Sequence, residues 1–219
     1  MYHWVEDKEF LKKAYSECAG IVNQLVQNLK HYDIAAEMKV VGSKSRNMIT
    51  QNANEPIDFD FNLVIWDAPN MNDCRYIKES ARKAFNEVLE RNGWDDCADS
   101  TSALTTKTYY YKKGNHTEFS IDVCLVKIQG NTWARLIHQK TGWAVCDQYC
   151  WEFGRDLSNV FEKEREIKSV PPAWDDVRQT YIDKKNRYLS WNDSNHPSFV
   201  CYIEAVNEVY YALKSRGTL

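Results

Sequence analysis

No apolar run in the 219 residues approaches the ~20 needed to span a bilayer. The first residues, Met1-Tyr2-His3-Trp4-Val5-Glu6-Asp7, are polar and acidic, unlike a signal peptide. Neither insertion into a membrane nor secretion is therefore expected. Cationic excess is also missing. There are 28 Lys and Arg against 31 Asp and Glu, a net charge of −3, and neither residues 1–130 nor residues 131–219 form a basic arm. No global positive field advertises nucleic-acid binding, although a local positive groove is compatible with this balance. The seven cysteines are odd in number, scattered and without a Cys-x-x-Cys. A cytoplasmic protein with reduced thiols is the expectation. Cys146 and Cys150, spaced i,i+4 near His138, read as half-buried thiols before they read as a zinc site. Internal repeats and low-complexity tracts are absent as well.

What is present is a globular composition, 43% apolar and 27% charged. Apolar residues recur at helical spacing over residues 6–30 and 73–91, with Asn72 or Asp73 able to cap the second helix. Strands are expected at Met38–Val41, Ile57–Trp66, Thr101–Lys112 and Thr117–Ile128, the last two forming a hairpin about Gly114-Asn115. After Gly130 the pattern predicts helices around residues 132–141, 157–168, 174–189 and 197–214. The fold class is α+β: a small mixed or antiparallel sheet with flanking helices, then a helical C-terminal lobe. The expected domains are residues 1–130 and 131–219. Five tryptophans of the second part, Trp133, Trp143, Trp151, Trp174 and Trp191, are expected mostly in its core.

The chemistry lies in the strands. Asp58-Phe59-Asp60 places two carboxylates on one face of a strand and leaves Phe59 and Phe61 for the other, because strand side chains alternate. Gly42-Ser43 stands 14 residues upstream, and a third acid, Asp122, follows inside Ile121-Asp122-Val123. Each acid lies in an apolar run, where a bare carboxylate is costly to bury. Carboxylates on one side and aromatics on the other suit a hard divalent cation at a sheet surface.

The order of these elements, Val40-Val41-Gly42-Ser43, then Asp58-Phe59-Asp60-Phe61, then Ile121-Asp122-Val123, resembles the minimal core of the nucleotidyltransferase superfamily related to DNA polymerase β. The resemblance covers residues 35–128, and its gap between Ser43 and Asp58 is slightly longer than usual. It implies that Asp58, Asp60 and Asp122 are catalytic and hold Mg²⁺, with Mn²⁺ as a substitute. It further implies that Gly42, Ser43, Lys44 and Arg46 bind a nucleoside triphosphate such as ATP. The reaction implied moves a nucleoside monophosphate onto a hydroxyl of a small molecule, an RNA end, a nucleotide or a protein, and releases pyrophosphate. The competing reading is a non-catalytic nucleotide-binding or RNA-binding module, antitoxin-like, on the same fold.

Other features read more plainly. Tyr109-Tyr110-Tyr111 fits packing better than base stacking. Asp183-Lys184-Lys185-Asn186-Arg187 reads as a solvated helix face and is the best candidate for contacting a phosphate-bearing acceptor. His116 and His196 receive no role.

Overall fold

The computed structural model describes residues 1–130, 132–193 and 195–219. The chain runs β1 (Tyr2–Trp4), α1 (Lys8–Asn28), β2 (Ala35–Val40), a short α2 (Gly42–Ser45), β3 (Thr50–Asn52), β4 (Ile57–Asp67) and α3 (Cys74–Arg91). It continues through β5 (Ala98–Asp99), β6 (Leu104–Thr105), β7 (Phe119–Gln129), β8 (Thr132–Gln139) and β9 (Gln148–Phe153) to α4 (Ser158–Lys168), α5 (Ala173–Ser190) and α6 (Ser198–Ser215). Two compact units result. One comprises Val5–Ile49 with Asn54–Gly154, the other Met1–Trp4, Thr50–Ala53 and Arg155–Leu219.

The first unit is built on a mixed sheet of order β2-β4-β7-β6-β5, with β8 and β9 continuing from the C-terminal half of β7. Among the described residues only the β4–β7 pair of this sheet is parallel. Local signals set the helices. The Asp7 carboxylate accepts the Phe10 N–H and starts α1, and Asp73 does the same for Tyr76 at the start of α3. Both helices present apolar stripes, including Ala14, Cys18, Ile21 and Leu25 on α1 and Ala81, Phe85 and Val88 on α3. These stripes join Phe59, Phe61 and Leu63 of β4 and Phe119, Ile121 and Val123 of β7 in one buried core. Truncating either of the central phenylalanines to alanine should cost about 3–5 kcal/mol. Alternation along β4 and β7 therefore leaves Asp58, Asp60, Ser120 and Asp122 on the sheet face opposite this core.

The second unit combines α4, α5 and α6 with the antiparallel ribbon of β1 and β3. Its helices lie where the periodicity predicts. The basic stretch of α5 is a solvated face only in part: Asp183 and Arg187 are exposed, but Lys184 and Lys185 are used internally. Lys184 lies 2.8 Å from Glu208, and buried Lys185 donates to the Thr50 hydroxyl at 2.8 Å and sits over the Tyr2 ring. No helix of the described residues is long and apolar enough to cross a membrane.

The structure corrects three sequence expectations, those for the 132–141 segment, the Thr101–Lys112 strand and the tryptophans. The helix expected at 132–141 is strand β8, in which Ala134 and Leu136 are buried while Trp133 and Arg135 are exposed, a period of two. The boundary expected between 130 and 131 falls at Asn131, outside the described residues. The strand expected over Thr101–Lys112 shrinks to β6 and an isolated bridge from Tyr109 to Phe119. Aromatic packing takes over there: Tyr109 stacks on Trp94 at 4.7 Å, and the Tyr111 hydroxyl donates to Glu17. Finally, Trp133, Trp143 and Trp191 are exposed rather than core.

Candidate active site

The end of β2 sets the site. Val40 pairs antiparallel with Phe61, the Val41 N–H donates to the Asp60 carbonyl at 3.0 Å, and the chain turns at Gly42 with φ of +65°. A Cβ built at position 42 would lie 1.9 Å from Asp60 Oδ2. Only glycine fits, both for the left-handed backbone and for the carboxylate pressed against it. The Gly-Ser turn and the Asp-x-Asp strand are thus in direct contact, although 14 residues separate Ser43 from Asp58.

The acids are assembled by strand register. Asp60 stands opposite Asp122 across the parallel β4–β7 pair, and Asp58 stands opposite Ser120. Asp58 is exposed, while Asp60 and Asp122 are half-buried. The Ser120 hydroxyl donates to Asp58 Oδ1 at 2.5 Å, and the Thr105 hydroxyl of β6 donates to Asp122 Oδ1 at 2.6 Å. Burial, then the negative charges of Asp122 and Asp58, push the Asp60 carboxyl up to about 6, against the pull of Arg46 and Arg135. Burial also raises Asp122, opposed by the Thr105 hydrogen bond and reinforced by the Asp58 charge. The three carboxylates therefore share one face and one electrostatic field.

The expected nucleotide-binding residues separate. Gly42 touches the acid face, and Ser43, half-buried, follows it in α2. Arg46 donates to the Gly42 carbonyl at 2.9 Å, and its charge is felt at Asp60. The Lys44 ammonium instead lies over the Tyr15 ring, 4.8 Å from its centroid. Arg135 is a residue that the sequence reading missed. It projects from the acid face of β8 opposite Val126, and it stayed hidden because its segment reads as a helix. Cys146 and Cys150, expected as half-buried thiols rather than a zinc site, are exposed, and both nitrogens of the nearby His138 face carboxylates, Nδ1 2.6 Å from Asp99 and Nε2 3.0 Å from Asp147.

The donor set suits a hard divalent cation. Carboxylates driven toward protonation by burial and by one another are relieved by a positive ion, and oxygen ligands are what Mg²⁺ or Mn²⁺ prefers. The buried Oδ1 of Asn62, next on the same face of β4, has no hydrogen-bond partner. Among the described residues no three His, Cys, Asp or Glu groups close into a ready cage. Mg²⁺ does not require one, since it takes one or two carboxylates together with phosphate oxygens and water.

No protein-family model and no curated protein matches this sequence. Solved structures do match. The Vibrio cholerae dinucleotide cyclase DncV, in complex with GTP, is 11% identical with a TM-score of 0.56, over 88% of this chain and 52% of that one. The CdnC of Escherichia coli MS115-1, in complex with HORMA, is 13% identical with a TM-score of 0.52, over 92% and 60%. The Elizabethkingia meningoseptica cyclic dinucleotide synthase CdnE, with GTP and Apcpp, is 14% identical with a TM-score of 0.50, over 87% and 68%. The chain thus spans between about half and two thirds of their lengths. The fold is the one that these solved structures share.

Proposed function

We propose that this chain is a metal-dependent nucleotidyltransferase that transfers a nucleoside monophosphate from a nucleoside triphosphate to a hydroxyl acceptor. The acceptor oxygen forms a bond to the α-phosphorus, the bond from that phosphorus to the bridging oxygen breaks, and pyrophosphate leaves. One observation carries the reading: Asp60 stands in register with Asp122 while its side chain is pressed against Gly42, so the carboxylates and the Gly-Ser turn meet at one point. Neighbours of the same fold were solved with GTP or Apcpp, which supports a triphosphate substrate here.

In this reading Asp58, Asp60 and Asp122 hold Mg²⁺, or Mn²⁺ in its place. When bound, the metal supplies charge neutralisation and orientation at the phosphates. The chain's own groups do the rest. Gly42 lets the backbone approach the triphosphate, and Ser43 donates a hydrogen bond to it. Arg46 brings positive charge beside Asp60, and Lys44 reaches the phosphates by leaving the Tyr15 ring. Asp122 is positioned to accept the acceptor's proton, its affinity for a proton having been raised by burial. The setting is the cytoplasm, where nucleoside triphosphates are available.

The test is incubation with Mg²⁺ or Mn²⁺, α-labelled triphosphates and a panel of hydroxyl acceptors, following pyrophosphate. Release that disappears in Asp58→Ala and Asp60→Ala supports the transferase. Release unchanged in both variants overturns it, and nucleotide binding without turnover across the panel leaves the binding module.

A further inference from the structure

We propose that Ser120 and Thr105 are positioning residues that fix which oxygen of Asp58 and of Asp122 is offered to the divalent cation; this rests on the metal-dependent reading above. A carboxylate has two oxygens, and an unrestrained one can rotate to present either or both. Here one oxygen of each outer acid is already taken. Ser120 O–H donates to Asp58 Oδ1 at 2.5 Å, and Thr105 O–H donates to Asp122 Oδ1 at 2.6 Å. The Oδ2 atoms remain. Hydroxyl-to-carboxylate bonds of this length are the strong, charge-assisted kind.

Both caps are written into the sheet. Ser120 is the register partner of Asp58 across β4 and β7, and Thr105 is the register partner of Asp122 across β6 and β7. Ser120 is 3% exposed, so its hydroxyl is shielded from competing water. The next residue, Thr106, locks the register of β6. Its hydroxyl accepts the Ile121 N–H at 2.9 Å, and its own N–H donates to the Ile121 carbonyl at 3.0 Å. The two-residue strand thereby holds one acid side chain, and the residue that follows it grips the backbone beside that acid. Asp60 differs from both neighbours: it has no hydroxyl opposite it, only Asp122, whereas Asp58 faces Ser120 and Asp122 also faces Thr105. The arrangement gives two outer carboxylates that would each offer a cation one oriented oxygen, and a middle carboxylate held by no hydroxyl. Outer hydrogen bonds that orient metal ligands commonly govern affinity by ten- to a hundredfold.

The experiment titrates Mn²⁺ alone into the full chain at pH 8 and reads bound metal by electron paramagnetic resonance. Ser120→Ala and Thr105→Val remove one hydroxyl each at nearly constant volume, and a thermal melt verifies that each variant is folded. Each should raise the Mn²⁺ dissociation constant by at least about tenfold, with Thr105→Ser restoring the wild-type value. In turnover assays the same variants should require more metal while KM for triphosphate at saturating metal stays unchanged. If both variants bind Mn²⁺ as the wild type does while Asp60→Ala abolishes binding, the metal site stands and the positioning role is overturned. If the wild type itself binds no Mn²⁺, the reading of the site falls and this inference with it.

Discussion

Two clusters of charge occupy opposite faces of one sheet, and they are built on opposite rules. On the helix-covered face the Lys78 ammonium and the His138 ring stand against the carboxylates of Asp99 and Asp147. Lys78 Nζ lies 3.1 Å from Asp99 Oδ1, an ion pair without hydrogen-bond alignment, and His138 bridges Asp99 to Asp147 at 2.6 Å and 3.0 Å. Tyr149 stacks on the imidazole at 4.0 Å and donates to Glu79. On the other face Asp58, Asp60 and Asp122 have the same sign, and Arg46 and Arg135 only moderate the repulsion. The groups of the first cluster are paired with one another. The second is left uncompensated, a stability cost that a folded chain keeps where a bound cation or substrate will offset it.

The sharpest way to break this contrast is to remove one member of each cluster and ask what is lost. Lys78 is 1% exposed, so Lys78→Met leaves Asp99 buried beside a thioether. Stability should fall by about 3–5 kcal/mol, as it does when half of a buried ion pair is deleted. Urea unfolding measures it, and an unchanged midpoint would show that the closed network is not structural.

Asp60→Asn should do the reverse. Its carboxyl goes from 3.8 in the unfolded chain up to about 6 in the fold, so the folded protein holds this proton more tightly. Protons therefore favour the fold: the contribution is fully present below 3.8 and is lost as pH rises through about 6. At about 1.4 kcal/mol per pKa unit the loss is at most about 3 kcal/mol. The asparagine variant lacks it. The two proteins should be alike near pH 4 and diverge by pH 7, with the variant more stable and catalytically dead. Asp7, Glu87, Asp147 and Asp156, whose carboxyls are held low by hydrogen bonds, push the opposite way in both proteins and cancel in the difference. Mg²⁺ should narrow the gap by stabilising only the wild type. Equal stability at every pH would contradict a repulsive acid cluster.

Much of the acid face is legible because it depends on period two and on short signals. Asp58 and Asp60 share a face by alternation alone, and Gly42 announces a backbone that other residues cannot adopt. The helices α1, α3 and α6 follow from apolar stripes and from caps such as Asp73. What is illegible comes from pairing at long range. Thr105 and Asp122 meet only because β6 takes a particular register, and a two-residue strand leaves little pattern to read. The 132–139 segment has strand alternation, yet Trp133, Leu136 and Ile137 also satisfy a helical spacing. The edge of β7 decides between them, and with that decision Arg135 reaches the acids. His138 looks ordinary in sequence because Asp99 and Asp147 come from other parts of the chain.

Arg135 offers the finest test of the contrast, since it is the cation that reading the segment as a helix conceals. It is exposed on β8, between Val126 and Glu152 in register, and its charge lowers the proton affinity of Asp60. Arg135→Gln removes that pull, so the Asp60 carboxyl moves further up and the fall in stability shifts to higher pH. Being solvent-exposed and screened, the pair should be worth less than about 1 kcal/mol, and added salt should shrink it. The measurement is the pH profile of the stability difference between the protein with Asp60 and its Asp60→Asn variant, taken with arginine and with glutamine at 135. A shift that appears only when Asp60 is present ties the cation to the acid. A profile that does not move would place the arginine outside the field of the acids and leave Arg46 to moderate it.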